Sequence, residues 1–241
     1  MLNKLRFVRI WILLFSLFYS IFVQSQNQIS SKELVQTTED FYGSDDRFIN
    51  GVISDFYTPN ADGHPFFIYD GWHTGTIYSN GIKFNDLAIK YNIESDDIFF
   101  INMNNSYAPT TILNKSLIDS VIISGQLLLN TNKLAIKNPI VFVELLNRGK
   151  YTSVLKHKVT KITKLTDTYE YVKYNNHSPI IHIIKDSELV SLKSRKDFIS
   201  EFSLPEKPLK KFLRQNKIQL KKANRKQLLQ LIKYCDEHSI I

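Results

Sequence analysis

Histidine and carboxylate side chains are concentrated in one short part of this 241-residue chain. They are Asp55, Asp62, His64, Asp70 and His73. Residues of these types bind metal ions or carry out acid–base chemistry when the fold brings them together. Their spacing matches no metal-ligand motif, and the two aspartates that precede glycines are typical of turns. We therefore expect at most a polar site at His64, Asp70 and His73, with turn formation as the competing role.

Three further histidines, His157, His177 and His182, fall on separate predicted strands or turns. A zinc site needs three or four converging ligands, and the strand pattern gives no reason for these three to meet. His157 has a lysine on each side, which favours an exposed strand face. The sequence therefore predicts no metal site.

Nucleophilic and cofactor-dependent chemistry has little support in the sequence. Ser79 and Ser124 lie in predicted turns, and no G-x-S-x-G motif surrounds either residue. The chain has no G-x-G-x-x-G, phosphate-binding loop or C-x-x-C motif, so nucleotide and redox functions are not indicated. The only cysteine, Cys235, is interpreted as a small apolar residue of a C-terminal helix. We expect no catalytic residue and no cofactor.

The N-terminus has the pattern of a secretory signal peptide. Lys4, Arg6 and Arg9 precede an apolar run at residues 10–23, and Ser25 has the small side chain that favours cleavage after it. The competing interpretation is an uncleaved membrane anchor, but the run is short for a span, which needs about 20 residues. We therefore expect an exported protein of the periplasm or cell envelope.

Basic residues are concentrated at the other end of the chain. Residues 205–241 contain ten Lys and Arg residues against three acidic ones, whereas the whole chain has a net charge of +8. Clustered cations attract phosphate groups, and because an exported protein does not meet nucleic acid, anionic lipid headgroups or another envelope protein are the expected partners. The predicted contacts are Lys210, Lys211, Lys221 and Lys222. The competing interpretation is an ordinary solvated helix face.

The middle of the chain has the periodicity of antiparallel strands. Asn80-Gly81 favours a type I′ hairpin turn, because both residues tolerate positive φ. Beyond it, alternation buries one face of a strand through Leu87, Ile89, Tyr91 and Ile93. Aromatic side chains are frequent here and either fill the core or line a site for an apolar ligand. They are Phe66, Phe67, Trp72, Tyr78, Phe84, Tyr91, Phe99 and Phe100.

These patterns predict a mainly β protein with a curved antiparallel sheet or partial barrel, built as a meander, and a C-terminal helical segment. The expected divisions are a signal peptide at 1–25, a polar segment at 26–47, an antiparallel β domain at 48–193 and basic helices at 194–241 that pack on the β domain. Asn224 is predicted to cap the last helix.

Three segments together resemble a known group of proteins. They read GHPFF…W…GTIYSNGIKFNDLAIKYNIESDDIFF, FVELLNRGKYTSVLKHKVTKI and LKKFLRQNKIQLKKANRKQLLQLIKY, and the resemblance covers roughly residues 48–236. Their order and spacing resemble an uncharacterised family of exported β-rich proteins common in Bacteroidota-type bacteria. The resemblance implies an envelope location and a β domain with a helical tail, and it implies no catalytic residue.

The leading functional interpretation is a non-enzymatic exported protein that binds or scaffolds a partner in the envelope. Two alternatives stay open. One is a half-barrel that binds a lipid or another apolar ligand, and the other is a hydrolase-type enzyme that uses the region of His64, Asp70 and His73.

Export makes a direct prediction about the N-terminus. We expect the mature protein to begin just after Ser25, because the charged segment, apolar run and small residues have the order that signal peptidase requires. N-terminal sequencing of protein recovered from its native cells checks this. An intact Met1 terminus in the membrane fraction would contradict it.

Overall fold

The computed structural model describes residues 51–53, 61–101, 110–165, 170–175 and 179–239. All of them belong to one compact unit, Arg47–Ile241. The predicted signal peptide and polar segment, together with Asp55 and His177, lie outside the described residues.

The described residues form short strands followed by helices. The strands are β1 Val52–Ile53, β2 Ala61–Asp62, β3 His73–Ser79, β4 Ile82–Asn92, β5 Asp97–Ile101, β6 Thr111–Ile112, β7 Ile118–Ile123, β8 Gln126–Asn130, β9 Phe142–Arg148, β10 Thr152–Lys156, β11 Lys161–Leu165, β12 Glu170–Tyr174, β13 Ile180–Lys185 and β14 Glu188–Leu192. The α-helices are α1 Arg195–Phe202, α2 Glu206–Gln215 and α3 Arg225–His238, and two short 3-10 helices lie at Lys115–Leu117 and Thr131–Lys133.

Eleven of these strands form one sheet in the order β1-β6-β5-β4-β3-β7-β8-β9-β10-β13-β14. Every neighbouring pair in it is antiparallel. The sheet does not close on itself, and a second sheet has the order β11-β12-β2. The predicted fold class is confirmed: the protein is mainly β, with a large antiparallel sheet and a helical C-terminus. Strands β2 and β12 are parallel, which the sequence did not indicate.

The hairpin of β3 and β4 lies near the middle of the large sheet. Asn80 and Gly81 have φ values of 50° and 78° and join Ser79 to its partner Ile82, as the Asn-Gly signal predicted. The predicted alternation is present only in part: Ile89, Tyr91 and Ile93 are buried as expected, but Asn92 on the other face of the strand is buried as well, at 2% exposure.

Two segments depart in the structure from the strands that their residue types favour. The apolar alternation of residues 150–162 is typical of one long strand, but β10 ends at Lys156 and the chain leaves the large sheet to form β11 in the small one. Residues 64–68 also have side chains typical of a strand. Only Phe66 forms a bridge there, because Ile68 has a φ of 69° and turns the chain away from the sheet.

The apolar side chains form two separate clusters. The first lies on the strands from β3 to β9 and includes Ile77, Ile89 and Phe142, with Val172 and Tyr174 of the small sheet packed into it. The small sheet therefore covers part of the large one, since its apolar side chains are buried only there.

The second cluster lies where the helices meet the last strands of the large sheet. It contains Ile181 and Ile183 of β13, Phe198 of α1, Leu209 of α2 and Leu231 of α3. Each helix thus buries apolar side chains in this cluster, which is how short amphipathic helices are stabilised in proteins.

Local capping explains where the helices begin. The Asn224 side chain accepts a hydrogen bond from the Gln227 N–H at 3.0 Å, and the Asn224 N–H donates to the Gln227 side chain at 3.1 Å. This reciprocal pair satisfies two backbone groups at the start of α3, as the sequence predicted. Cys235 of the same helix is fully buried, and burial raises the pKa of its thiol to about 12. The thiol therefore stays protonated, in agreement with its interpretation as an apolar filler.

The β3–β4 turn makes a stability prediction. A Cβ on Gly81 would meet no atom within 4 Å, so Gly81→Val mainly tests the backbone conformation. We expect the free energy of unfolding to fall by about 1–2 kcal/mol, because a residue with a Cβ is disfavoured in the left-handed region. Urea denaturation measures it, and Gly81→Asn is the control that should lose less, since Asn tolerates this region. Equal losses for both variants would contradict the turn argument.

Candidate functional site

A cleft of about 320 Å³ opens beside the first half of the large sheet. Aromatic and charged side chains share its wall. The lining residues are Ala61, Gly63, His64, Pro65, Phe66, Asp70, Trp72, Lys90, Phe99 and Thr110. Sites for small molecules usually measure about 300–1,000 Å³ and combine apolar walls with a few polar groups, so this cleft has the size and composition of a small one.

Sheet register brings the wall together. Lys90 on β4 is the direct partner of Phe99 on β5, so the two side chains are neighbours on one face of the sheet. Phe66 bridges to Asn92 at the end of β4, and its ring meets the Phe99 ring edge-on at a centroid distance of 6.0 Å. Three separate segments of the chain thus form one aromatic surface around Lys90.

The Lys90 ammonium group is held by three partners. Its Nζ donates to Oδ1 of Asp70 at 2.9 Å and lies 4.7 Å from the Phe66 ring centroid and 5.2 Å from that of Trp72. The Lys90 side chain is 17% exposed, whereas that of Asp70 is 54% exposed. The attraction of the ammonium group to the ring faces and to the carboxylate offsets the hydration energy that it loses on burial.

His64 closes the side of the cleft next to Phe66. The backbone N–H of Phe66 donates to Nδ1 of His64 at 3.2 Å, and the two rings stack at a centroid distance of 6.4 Å. Because Nδ1 accepts a hydrogen bond, the proton of the neutral ring lies on Nε2.

The loop Phe67–Trp72 carries two of the lining side chains and is strained. The Tyr69 N–H donates to the Phe67 carbonyl at 3.0 Å, which closes a γ-turn around Ile68 at a φ of 69°. A β-branched residue rarely adopts this conformation, which costs on the order of 1–3 kcal/mol. The surrounding structure must therefore hold the loop in this path, and the path places Asp70 and Trp72 at the cleft.

The predicted polar site is only partly assembled. The structure places His64 and Asp70 at the cleft, but His73 is buried on β3 and is not among its lining residues. Nδ1 of His73 lies 3.0 Å from Oγ of Ser124, and the Tyr69 ring packs on the imidazole at 4.1 Å.

The contact of His73 with Ser124 lacks the third group that nucleophilic catalysis requires. Within the described residues, Nε2 of His73 is buried and has no hydrogen-bond partner, so no carboxylate orients the ring. The pair joins the start of β3 to the turn between β7 and β8. We therefore interpret it as a structural contact.

Sequence reasoning missed a second polar cluster, centred on Glu144 of β9. The Glu144 side chain is fully buried. Its Oε2 lies 2.8 Å from Nε2 of His157, and its Oε1 accepts from Nε of Arg225 on α3. With its amide nitrogen turned toward the carboxylate, Gln126 reaches both oxygens at 3.2 Å. This cluster ties the last helix to the sheet.

The position of His157 corrects the sequence interpretation. We expected it on an exposed face, but it is 9% exposed and its ring meets that of Phe67 at 4.7 Å. The available signal was the alternation Leu155, His157, Val159, whose three members are all buried. A second signal was Glu144 inside an apolar run, since a carboxylate in such a strand needs a buried partner.

The predicted basic contacts are all on the surface. Lys210 and Lys211 lie on α2, and Lys221 and Lys222 lie in the segment before α3. All four are exposed. Within the described residues, none of the four forms an ion pair.

In the part of the chain that the structure describes, no three His, Cys, Asp or Glu side chains converge in a way that could bind a metal ion. His182, the remaining described histidine of the sequence prediction, is mostly buried, and burial lowers the pKa of its imidazole. None of the described helices is both long and apolar enough to cross a membrane.

Comparison with known proteins adds no assignment: no family model, curated protein or solved structure matches this chain.

The Glu144 cluster makes a prediction about stability. Arg225→Met leaves a buried carboxylate without its cation. Breaking a buried ion pair in this way lowers the free energy of unfolding by about 3–5 kcal/mol. We expect a value near the lower limit, because Arg225 is itself partly exposed. In the double variant with Glu144→Met, the buried charge is gone as well, so the loss should be smaller than for Arg225→Met alone.

Urea denaturation of the two single variants and the double variant measures this coupling. Arg195→Met is the matched control, because the Arg195–Glu206 pair is more exposed and should contribute less than about 1 kcal/mol. If Arg225→Met costs no more than Arg195→Met, the cluster does not fasten α3 to the sheet.

Proposed function

We propose that this protein is a non-enzymatic, exported binding protein of the cell envelope that takes a small ligand in the aromatic cleft. The cleft is the observation that carries the proposal. It combines the aromatic walls of Phe66, Trp72 and Phe99 with one ion pair, Lys90–Asp70, at a volume typical of small-molecule sites.

The arrangement of polar groups favours binding over catalysis. General acid–base or nucleophilic chemistry needs a reactive group that a second group activates and orients. In the cleft, Nδ1 of His64 accepts from the backbone and the Lys90 ammonium pairs with Asp70. These side chains hold one another in place, which suits a preformed binding surface.

The size of the cleft decides between a small ligand and a lipid chain. A long acyl chain needs an extended apolar cavity, whereas this cleft has about 320 Å³ and a charged pair in its wall. The first apolar cluster fills the space beside the large sheet with side chains such as Ile89, Tyr91 and Phe142. A compact ligand with an apolar body therefore fits better than the lipid of the half-barrel alternative.

Export rests on the N-terminal sequence pattern and on the resemblance to exported β-rich proteins. The chain has a single cysteine, Cys235, which is buried and free, so the fold has no internal disulfide. Its stability comes from the packing of the two apolar clusters.

The proposal predicts which residues control ligand binding. A library of small metabolites screened by thermal shift should contain compounds that raise the melting temperature, because a ligand that binds only the folded state stabilises it. Trp72→Ala should abolish the shift, while the control Ile82→Ala, an exposed apolar residue at the far end of β4, should keep it. Hits that survive Trp72→Ala would bind elsewhere and contradict the proposal.

A second candidate role, contact with an anionic membrane surface, is favoured by one feature of α2. Lys207, Lys210, Lys211 and Arg214 are spaced i, i+3, i+4 and i+7, so they share one face of the helix. All four are exposed, and the buried Leu209 points to the opposite side. Basic residues on the outer face of an amphipathic helix attract anionic lipid headgroups, each contributing about 1 kcal/mol near the surface.

This role predicts salt-sensitive membrane binding by the mature chain. We expect the mature protein to co-sediment with anionic vesicles at low salt and to dissociate from them at high salt. The reason is that the Debye length falls from about 10 Å at 0.1 M to about 3 Å at 1 M. Changing Lys210, Lys211, Lys221 and Lys222 to Gln should reduce the binding.

A control variant removes the same number of charges elsewhere, through Gln at the exposed residues Lys83, Lys158, Lys161 and Lys164. The control should bind like the unmodified protein. Equal binding to neutral and anionic vesicles, or an equal loss in both variants, would remove the membrane role.

A further inference from the structure

The charge of the cleft selects among classes of small ligand. Among the described residues, its lining contains one cation, Lys90, and one carboxylate, Asp70, and these are paired at 2.9 Å. The described part of the wall therefore has no net charge, but it presents a strong donor beside a strong acceptor. From this geometry we propose, building on the binding function proposed above, that the ligand is a neutral ring with adjacent hydroxyl groups, a single sugar residue.

A cationic ligand is disfavoured because the protein fills that place itself. An ammonium group binds aromatic rings by lying over their faces within about 6 Å of the centroid. The Lys90 ammonium already does so at Phe66 and Trp72. A second cation at these rings would meet the repulsion of Lys90.

An anionic ligand is disfavoured by the carboxylate at the entrance. Asp70 is the more exposed member of the pair, so an approaching anion meets it before it reaches Lys90. Pairing with Lys90 would also mean displacing Asp70 from a 2.9 Å contact, which leaves that carboxylate without its partner.

Hydroxyl groups use both members of the pair without breaking it. The ammonium group has three N–H donors, of which one is directed at Oδ1 of Asp70, and a carboxylate accepts several hydrogen bonds. One ligand hydroxyl can accept from Nζ of Lys90 while its neighbour donates to Asp70. Hydrogen bonds to charged groups are stronger than those between neutral groups, and a ligand without hydroxyls cannot form them.

The remaining wall suits the carbon skeleton of a sugar ring. The C–H bonds of such a ring form an apolar face, which packs on the electron-rich surface of Trp72, Phe66 and Phe99. The cleft volume limits the bound part to about one ring. Because Trp72 and Asp70 are both placed by the strained turn at Ile68, the hydroxyl-binding and ring-binding groups are fixed relative to each other before a ligand arrives.

Fluorescence of Trp72 provides a direct measurement. The chain has two tryptophans, so Trp11→Phe in the full chain leaves Trp72 as the only reporter. The probes are methyl glucoside, galactoside and mannoside, the same rings with a carboxylate or an ammonium group at carbon 6, and cyclohexanol as an apolar ring. We expect at least one neutral glycoside to saturate the signal and to bind about tenfold or more tightly than its charged counterparts and cyclohexanol.

Charge changes in the cleft should reorder these preferences. Asp70→Asn leaves Lys90 without its anion, so the carboxylate sugar should gain about tenfold relative to the neutral one. Lys90→Met should shift the preference toward the ammonium sugar. The control is Glu188→Gln, which removes a carboxylate from the exposed Lys137–Glu188 pair and should leave the order unchanged.

The outcomes separate this inference from the function on which it rests. Saturable binding of cyclohexanol or a charged sugar in preference to every neutral glycoside would overturn the sugar assignment and leave the binding cleft in place. No response of Trp72 to any probe, together with no metabolite that raises the melting temperature, would overturn both. Binding of a neutral glycoside whose preference Asp70→Asn and Lys90→Met do not change would place the sugar outside the cleft and overturn the assignment.

Discussion

A carboxylate without access to water constrains how the C-terminal helix packs on the large sheet. Glu144 is fully buried on β9, and an isolated charge in that position would cost several kcal/mol. Its bonds reach Arg225 on α3 and His157 just after β10, so the helix, the large sheet and the exit toward the small sheet are held at one point. Packing of the second apolar cluster gives α3 its stability, but the carboxylate fixes where along the sheet the helix begins.

The same reasoning distinguishes the cleft from this cluster. At Glu144, protein groups occupy both oxygens and leave no room for a ligand, so the charge serves the fold. At Lys90 the ammonium is mostly buried, while its partner Asp70 remains half exposed at the edge of a cleft. A polar pair that is supported on one side and open on the other is what a binding site requires, because it keeps hydrogen-bonding capacity for a ligand.

Local signals in the sequence predicted much of the fold. The Asn80-Gly81 turn, the alternation along β4 and the Asn224 cap each depend on residues within a few positions. The structure contains the turn and the cap as predicted and the alternation in part. The fold class followed, since short loops between alternating segments allow only antiparallel pairing. The prediction failed where the chain departs from alternation, as at Ile68, whose left-handed conformation has no signal in a β-branched residue.

The candidate site could be predicted only in part, for a related reason. His64 and Asp70 attracted attention by type, but Lys90 and Phe99 meet them through sheet register, which the sequence does not specify. Arg225 is likewise 81 positions from Glu144. Long-range pairs of this kind depend on which strands become neighbours.

The two apolar clusters also separate the proposed roles physically. Ala61 of the cleft wall packs against the first cluster, whereas α2 and its basic face are supported by the second through Leu209. The two surfaces share no side chain of either cluster. Effects of substitutions at sites without common partners are usually additive. Ligand binding in the cleft and attachment through the basic helix are therefore expected to vary independently, so that each can be lost while the other persists.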